Sequence, residues 1–275
     1  MSRDVQESAT AATRPTRIWW QSFVDPSQNE PYLRRLVEYL HEIAEPGTTV
    51  EVHGMSPPDR GFGRLTELRC SVIAVDNALR AEEEGYDAYA MGHFQDPGLY
   101  AARSAVRIPV VGLGEASLHW AAQLGRHIAL VSIDPVFERW HAEQAELYGL
   151  RERVTEIVGM GAIVEDFAPA FAGDEQAYAR LLARFRELVE PLVARGADVV
   201  IPAGALPALL LAREHGLELG GAPVVNAVAV TLKATEMAVR LARLTGLGPS
   251  RGPSFALAPE QAREDFRRLA RGPSA

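Results

Sequence analysis

Eight short, continuously apolar runs punctuate this chain, with helix-length amphipathic segments between them. The runs are RIWWQSFV (17–24), TVEVHGM (49–55), YDAYAMG (86–92), IPVVGLG (108–114), HIALVSI (127–133), VTEIVGM (154–160), DVVIPAG (198–204) and PVVNAV (223–228). Segments such as PYLRRLVEYLHEIA (31–44), RLTELRCSVIAVDNALRAEEEG (64–85) and QAYARLLARFRELVEPLVARG (176–196) read as helices. Strands that are apolar throughout, rather than at every second residue, are buried on both faces. Alternation with helices makes the sheet parallel and covers both faces. The expected class is α/β.

The chain also repeats. Gly85-x-Asp87 precedes one apolar run and Gly196-x-Asp198 another, and Pro-Val-Val follows at 109–111 and at 223–225. The repeat predicts two pseudo-symmetric lobes, each a mainly parallel sheet flanked by helices, with a cleft between them. Lobe 1 takes residues 16–114 and 228–275, lobe 2 takes 115–227, and 1–15 is expected to be a disordered tail. Ligands of open α/β sheets bind beyond the C-terminal ends of the strands. The strand ends at 93 and 204 are therefore expected to look at each other across the cleft.

Composition narrows the function. Net charge is −8 and no block of Lys or Arg occurs, which argues against nucleic acid or a polybasic membrane contact. One cysteine, Cys70, allows no internal disulfide framework and no Cys-rich metal cluster. The polar N-terminus has no apolar h-region, and no run of 18 apolar residues occurs. These features predict a cytoplasmic protein that works on small molecules.

GHFQDPGL (92–99), IPVVGLGEAS (108–117) and GADVVIPAGALP (196–207) resemble the aspartate/glutamate/hydantoin racemase superfamily, and within it the hydantoin and allantoin racemases most closely. The resemblance covers roughly residues 16 to 245. It implies the two-lobed fold, a cofactor-independent acid/base reaction and a homo-oligomer. That family has a cysteine in each lobe, one on either side of the substrate carbon. Here those positions hold His93 and Gly204, so the two-thiol mechanism is not available. The superfamily includes one-cysteine members, the arylmalonate decarboxylases, which deliver a proton to one face only.

His93 is accordingly the candidate principal acid or base, since an imidazole titrates near neutrality. Its ionisation is expected not far from pH 6.5. Glu115 is the second catalytic candidate, although a carboxylate at the start of a helix is stabilised there in any case. Substrate-binding candidates are Gln21, Ser22, His53, Phe94, Ser132, Ala203, Gly204 and Ala205. Cys70 is expected to be a buried packing residue far from the cleft, and His119, His127 and His141 ordinary surface or packing residues. A metal shared by His53 and His93 with Asp25 or Asp96 lacks any close-spaced ligand motif, and no nucleotide-binding loop is present. No metal and no cofactor are expected. The reaction expected is isomerase-like or lyase-like, on a small carbonyl, cyclic amide or carboxylate. A hydrolase that uses His93-activated water, and a binder that has lost the chemistry, are the alternatives.

Overall fold

The computed structural model describes residues 14–57 and 61–272, so most of the expected N-terminal tail lies outside the described residues. The first sheet joins β1 (Thr16–Gln21), β2 (Thr48–His53), β3 (Ala88–Met91) and β4 (Val110–Gly112) in the order β2-β1-β3-β4, all parallel. The second joins β5 (Ile128–Ser132), β6 (Val154–Gly159) and β7 (Val199–Ala203) in the order β6-β5-β7, again all parallel. The eighth apolar run is not a full strand. Val224 bridges Val200 in parallel, where β4 would lie in the first sheet, and Val225 donates to the Val200 carbonyl. Just before it, β8 (Glu218–Leu219) and β9 (Ala222–Pro223) form a two-residue hairpin, and Pro223 has no N–H to extend a ladder.

The Gly-x-Asp repeat has a structural reason. Gly85 and Gly196 end the long helices α2 (Arg64–Glu83) and α7 (Glu175–Ala194) with φ of +77° and +107°, conformations that favour glycine. Two residues later, Asp87 accepts from the Arg17 N–H and Asp198 from the His127 N–H, at 2.9 and 2.8 Å. In each lobe this aspartate ties the incoming strand to the start of the central one. The same local instruction is written twice.

Helices α1 (Glu30–Ile43), α3 (Leu99–Ala105), α4 (Leu113–Leu124), α5 (Val136–Leu147), α6 (Val164–Phe171) and α8 (Ala205–Leu211) complete the two layers, with α9 (Ala227–Thr245) and α10 (Glu260–Arg271) at the end. α9 returns to pack on β3, β4 and α4, and α10 lies on α2. One buried cluster runs through both lobes, from Ile18 and Trp20 to Val131 and Ile201. A second, around Trp19, Tyr89 and Met91, lies under α2. Successive residues of β1 thus alternate between two cores, as the period-2 pleat demands.

Candidate active site

β3 and β7 run parallel within their sheets, and each ends at a glycine beside one cavity. Gly92, His93 and Phe94 line it from the first lobe, and Ala203, Gly204 and Ala205 from the second. The cavity has a volume of about 90 Å³. Phe23, Tyr32, Phe62, Ile133, Phe137 and Val164 close it, so its walls are largely apolar and aromatic. None of these six was singled out from the sequence. Large apolar residues next to strand ends signal core and pocket wall alike.

His93 is the imidazole on this wall. Its ring lies 4.6 Å from that of Phe23, and its Nδ1 accepts a long 3.4 Å bond from the Gln95 N–H. The ring keeps some accessible surface because it faces the cavity, yet protein surrounds it. That burial pushes its pKa down to about 4, and the nearby His141 pushes in the same direction. At neutral pH the ring is uncharged and carries one lone pair for a proton. Giving up so long a hydrogen bond costs little, so either tautomer is accessible.

Gly204 faces it with no side chain. A Cβ there would meet the Pro207 ring at 3.1 and 3.2 Å, so the position admits a side chain only if that ring yields slightly. No residue in the second lobe's share of the lining, Ile133, Phe137, Val164 and Ala203 to Pro207, has a side chain that can donate a proton.

Behind His93 the loop is clamped from the other lobe. Gln144 Nε2 donates to the Phe94 carbonyl at 2.5 Å and to Asp96 at 3.3 Å, and the Tyr148 hydroxyl donates to Asp96 at 2.8 Å. Asp96, in the left-handed region at φ +49°, also accepts the Gly114 and Glu115 N–H groups at the start of α4. Burial raises its pKa to about 7, and these donors oppose the rise. The two glycines of GLGEAS leave room for this carboxylate and loop. A Cβ on Gly112 would press on Asp96, and one on Gly114 would overlap the Phe94 carbonyl.

Several expectations are corrected here. Glu115 does not face the cavity; its carboxylate forks onto Arg103, with one N–O distance of 2.9 Å, a pairing in which both side chains are mostly covered. Gln21 is fully buried on the α2 side of β1, and its amide is consumed by Trp19, Asn77, Tyr89 and the Ser22 and His53 carbonyls. His53 stacks on Trp19 at 3.4 Å and meets the Tyr86 hydroxyl at 3.2 Å, outside the cavity lining. Sharing a metal with His93 is not supported by that placement, and among the described residues no group of three or more His, Cys, Asp or Glu is placed to hold a metal ion. Ser22 has no accessible surface and does not line the cavity. Ser132 is likewise buried and bonds His141 Nε2 at 3.2 Å. His141 is far from ordinary: it is fully buried, its Nδ1 meets Gln144 at 3.2 Å, and burial drives its pKa down to about 4. Cys70 is buried in α2 as expected, but it is not remote, since it shares a recess of about 20 Å³ with His93. Among the described residues no helix is long and apolar enough to cross a membrane.

The family model for Asp/Glu/Hydantoin racemase matches residues 23–235. The hydantoin racemase of Paenarthrobacter aurescens is 26% identical over 225 residues, 79% of this chain and 90% of that protein. The hydantoin racemase of Pseudomonas sp. (strain NS671) is 34% identical over 83 residues, which is 30% of this chain and only 33% of that protein. Among solved structures, the allantoin racemase from Klebsiella pneumoniae superposes with a TM-score of 0.75 at 22% identity, covering 89% of this chain and 94% of the other.

Proposed function

Since this chain belongs to the Asp/Glu/hydantoin racemase family and is an enzyme of that superfamily, we propose that it moves a proton at one face of a carbon acid, with His93 as the acid/base group and no cofactor. The substrate is a small cyclic amide or related carbonyl compound, of the class named for its hydantoin and allantoin racemase relatives. One observation carries the reading: an uncharged imidazole stands at one wall of the cavity, and the opposite wall, at Gly204, has no proton donor. The ring takes the α-proton, the carbonyl oxygen accepts the electron pair as an enolate, and the imidazolium returns the proton to the same carbon face. Return to the same face, after the imidazolium exchanges its proton with solvent, gives only exchange with retained configuration. Net turnover needs the proton delivered to another atom of the enolate, an isomerisation, or the enolate formed by loss of CO2, a decarboxylation, rather than a symmetrical racemisation. We also read the enzyme as a cytoplasmic homo-oligomer, working without nucleic acid or membrane. Its charge of −8 fits that reading, and so do exposed Trp120, Leu124, Met237 and Leu241 on the packed helices α4 and α9.

The test is exchange in deuterated water with a single enantiomer of a 5-substituted hydantoin. Deuterium should enter at C5 with the configuration largely kept. His93→Ala should slow the exchange about 10²–10⁴-fold, the usual contribution of a general base, while the melting temperature stays near wild type. Full exchange in His93→Ala would remove the imidazole from the mechanism. Oxygen uptake from heavy-oxygen water without exchange would make the enzyme a hydrolase.

A further inference from the structure

The cavity beside His93, of about 90 Å³, does not end blindly. Four of its wall residues, Phe23, Val24, Phe62 and Val164, also bound a second chamber of about 380 Å³. Beyond this apolar neck the lining turns polar, with Asp25, Gln28, Asn29 and Glu165. Among the described lining residues there is no Lys, Arg or His.

Asp25 is the unusual member. It is only 6% exposed, and a carboxylate so covered is normally paired with a cation. Here its polar neighbours are hydroxyls. Oδ1 accepts from the Ser27 N–H at 2.8 Å and from the Ser27 hydroxyl at 2.5 Å, and Ser56 lies close by. These hydrogen bonds, Ser27's above all, hold the carboxyl below its usual range, so it stays ionised at neutral pH. Neither Asp25 nor Glu165 forms an ion pair among the described residues. The result is a fixed negative charge at the mouth of the reaction cavity, with no cation among the described lining residues paired to it.

We propose that this outer chamber receives the substituent on the substrate's reacting carbon, and that it selects a cationic substituent over an anionic one. The inference rests on reading the inner cavity as the reaction site. A flat ring against His93 can direct its C5 substituent between the four shared wall residues into the outer chamber. An ammonium at the end of a flexible alkyl chain that enters the chamber would meet this carboxylate on its wall. There it would form a charge-assisted hydrogen bond, with no cation among the described lining residues to displace. A carboxylate on the same chain would enter a chamber whose described walls carry the negative charges of Asp25 and Glu165, which favours rejection.

Binding separates this proposal from the chemistry. Titration calorimetry would compare 5-(4-aminobutyl)hydantoin, 5-pentylhydantoin and 5-(2-carboxyethyl)hydantoin on the wild type, Asp25→Asn and Asp25→Asn/Glu165→Gln. On the wild type the aminobutyl compound should bind about tenfold tighter than the carboxyethyl one, with the neutral compound between them. Asp25→Asn should cut the ratio to about two to three, mainly by weakening the aminobutyl compound. Equal or tighter binding of the carboxyethyl compound overturns the proposal. So does a preference unchanged in the double variant, or no binding of any of the three. If the charge preference appears but no hydantoin exchanges its C5 proton, the chamber stands and the assignment of His93 falls.

Discussion

His93 sits where a strand end, a cavity and the facing lobe converge, and enclosure rather than a partner decides its charge. The loss of hydration disfavours the imidazolium, and His141 behind it adds to the shift, so the ring titrates at about 4 instead of near 6.5. A ring with so low a pKa is a weak base that is always in its basic form. The family's position therefore does not work here as a switch near neutrality. kcat/KM should be flat from about pH 6 to about pH 8 and should fall by one proton as the pH drops towards about 4. His141→Gln removes the neighbouring group that lowers His93 and should move this limb upward. A wild-type limb at the ordinary histidine pKa would show that water reaches the ring more freely than the enclosing walls allow.

Among the elements, the start of α4 carries the tightest packing next to the site. Gly114 gives its N–H to Asp96 and has no room for a methyl group, because the Phe94 carbonyl and the Gln144 amide already occupy that space. Gly114→Ala should destabilise the fold by about 3 kcal/mol, at the upper end of ordinary overpacking, and should slow exchange by displacing the loop that carries His93. Gly248→Ala, at an exposed loop position with nothing within 4 Å and no positive φ, should change stability by less than about 0.5 kcal/mol. Urea denaturation of both variants checks the contrast. This loop also shows how far the sequence could be read. GHFQDPGL and GLGEAS carried the family resemblance, and the structure brings them together at Asp96. The repeated Gly-x-Asp marked β3 and β7, the two strands that end at the cavity. The direction of a side chain is a different matter. Gln21 and His53 end strands, as a pocket residue should, but Gln21 points to the α2 core on the same face as Trp19, and His53 stacks there too. Alternation along RIWWQ separates Trp20 from Trp19 and Gln21, but the sequence does not say which face looks towards the second lobe. Glu115 was misread because Arg103, twelve residues before it, leaves no local signature of the pairing. His141 was passed over because it is a helix residue that becomes important only when α5 is laid across the first lobe's loop.

For the whole molecule, these same groups tie the two lobes into one pH-dependent unit. His93 and Asp96 belong to the first lobe and His141 to the second, and Gln144 touches the latter two. Both histidines have folded pKa values near 4, below their unfolded value, so between about 4 and about 6.5 the unfolded chain binds two protons that the folded one refuses. Asp96 runs the other way. Its folded value near 7 lies above the unfolded one, so across the same window the folded chain holds one proton that the unfolded chain releases. Two minus one leaves a single proton favouring the unfolded state on acidification. Stability should therefore be lost as the pH falls from about 6.5, at about 1.4 kcal/mol per pH unit, before the ordinary carboxylates begin to titrate. His141→Gln cancels one histidine and leaves His93 against Asp96. Its unfolding free energy, whatever its absolute value, should be nearly independent of pH between about 5 and about 6.5. Urea denaturation at a series of pH values reads both slopes directly. If wild type and His141→Gln lose stability equally steeply, the buried imidazole of the second lobe is not the group that makes the joined lobes sensitive to acid.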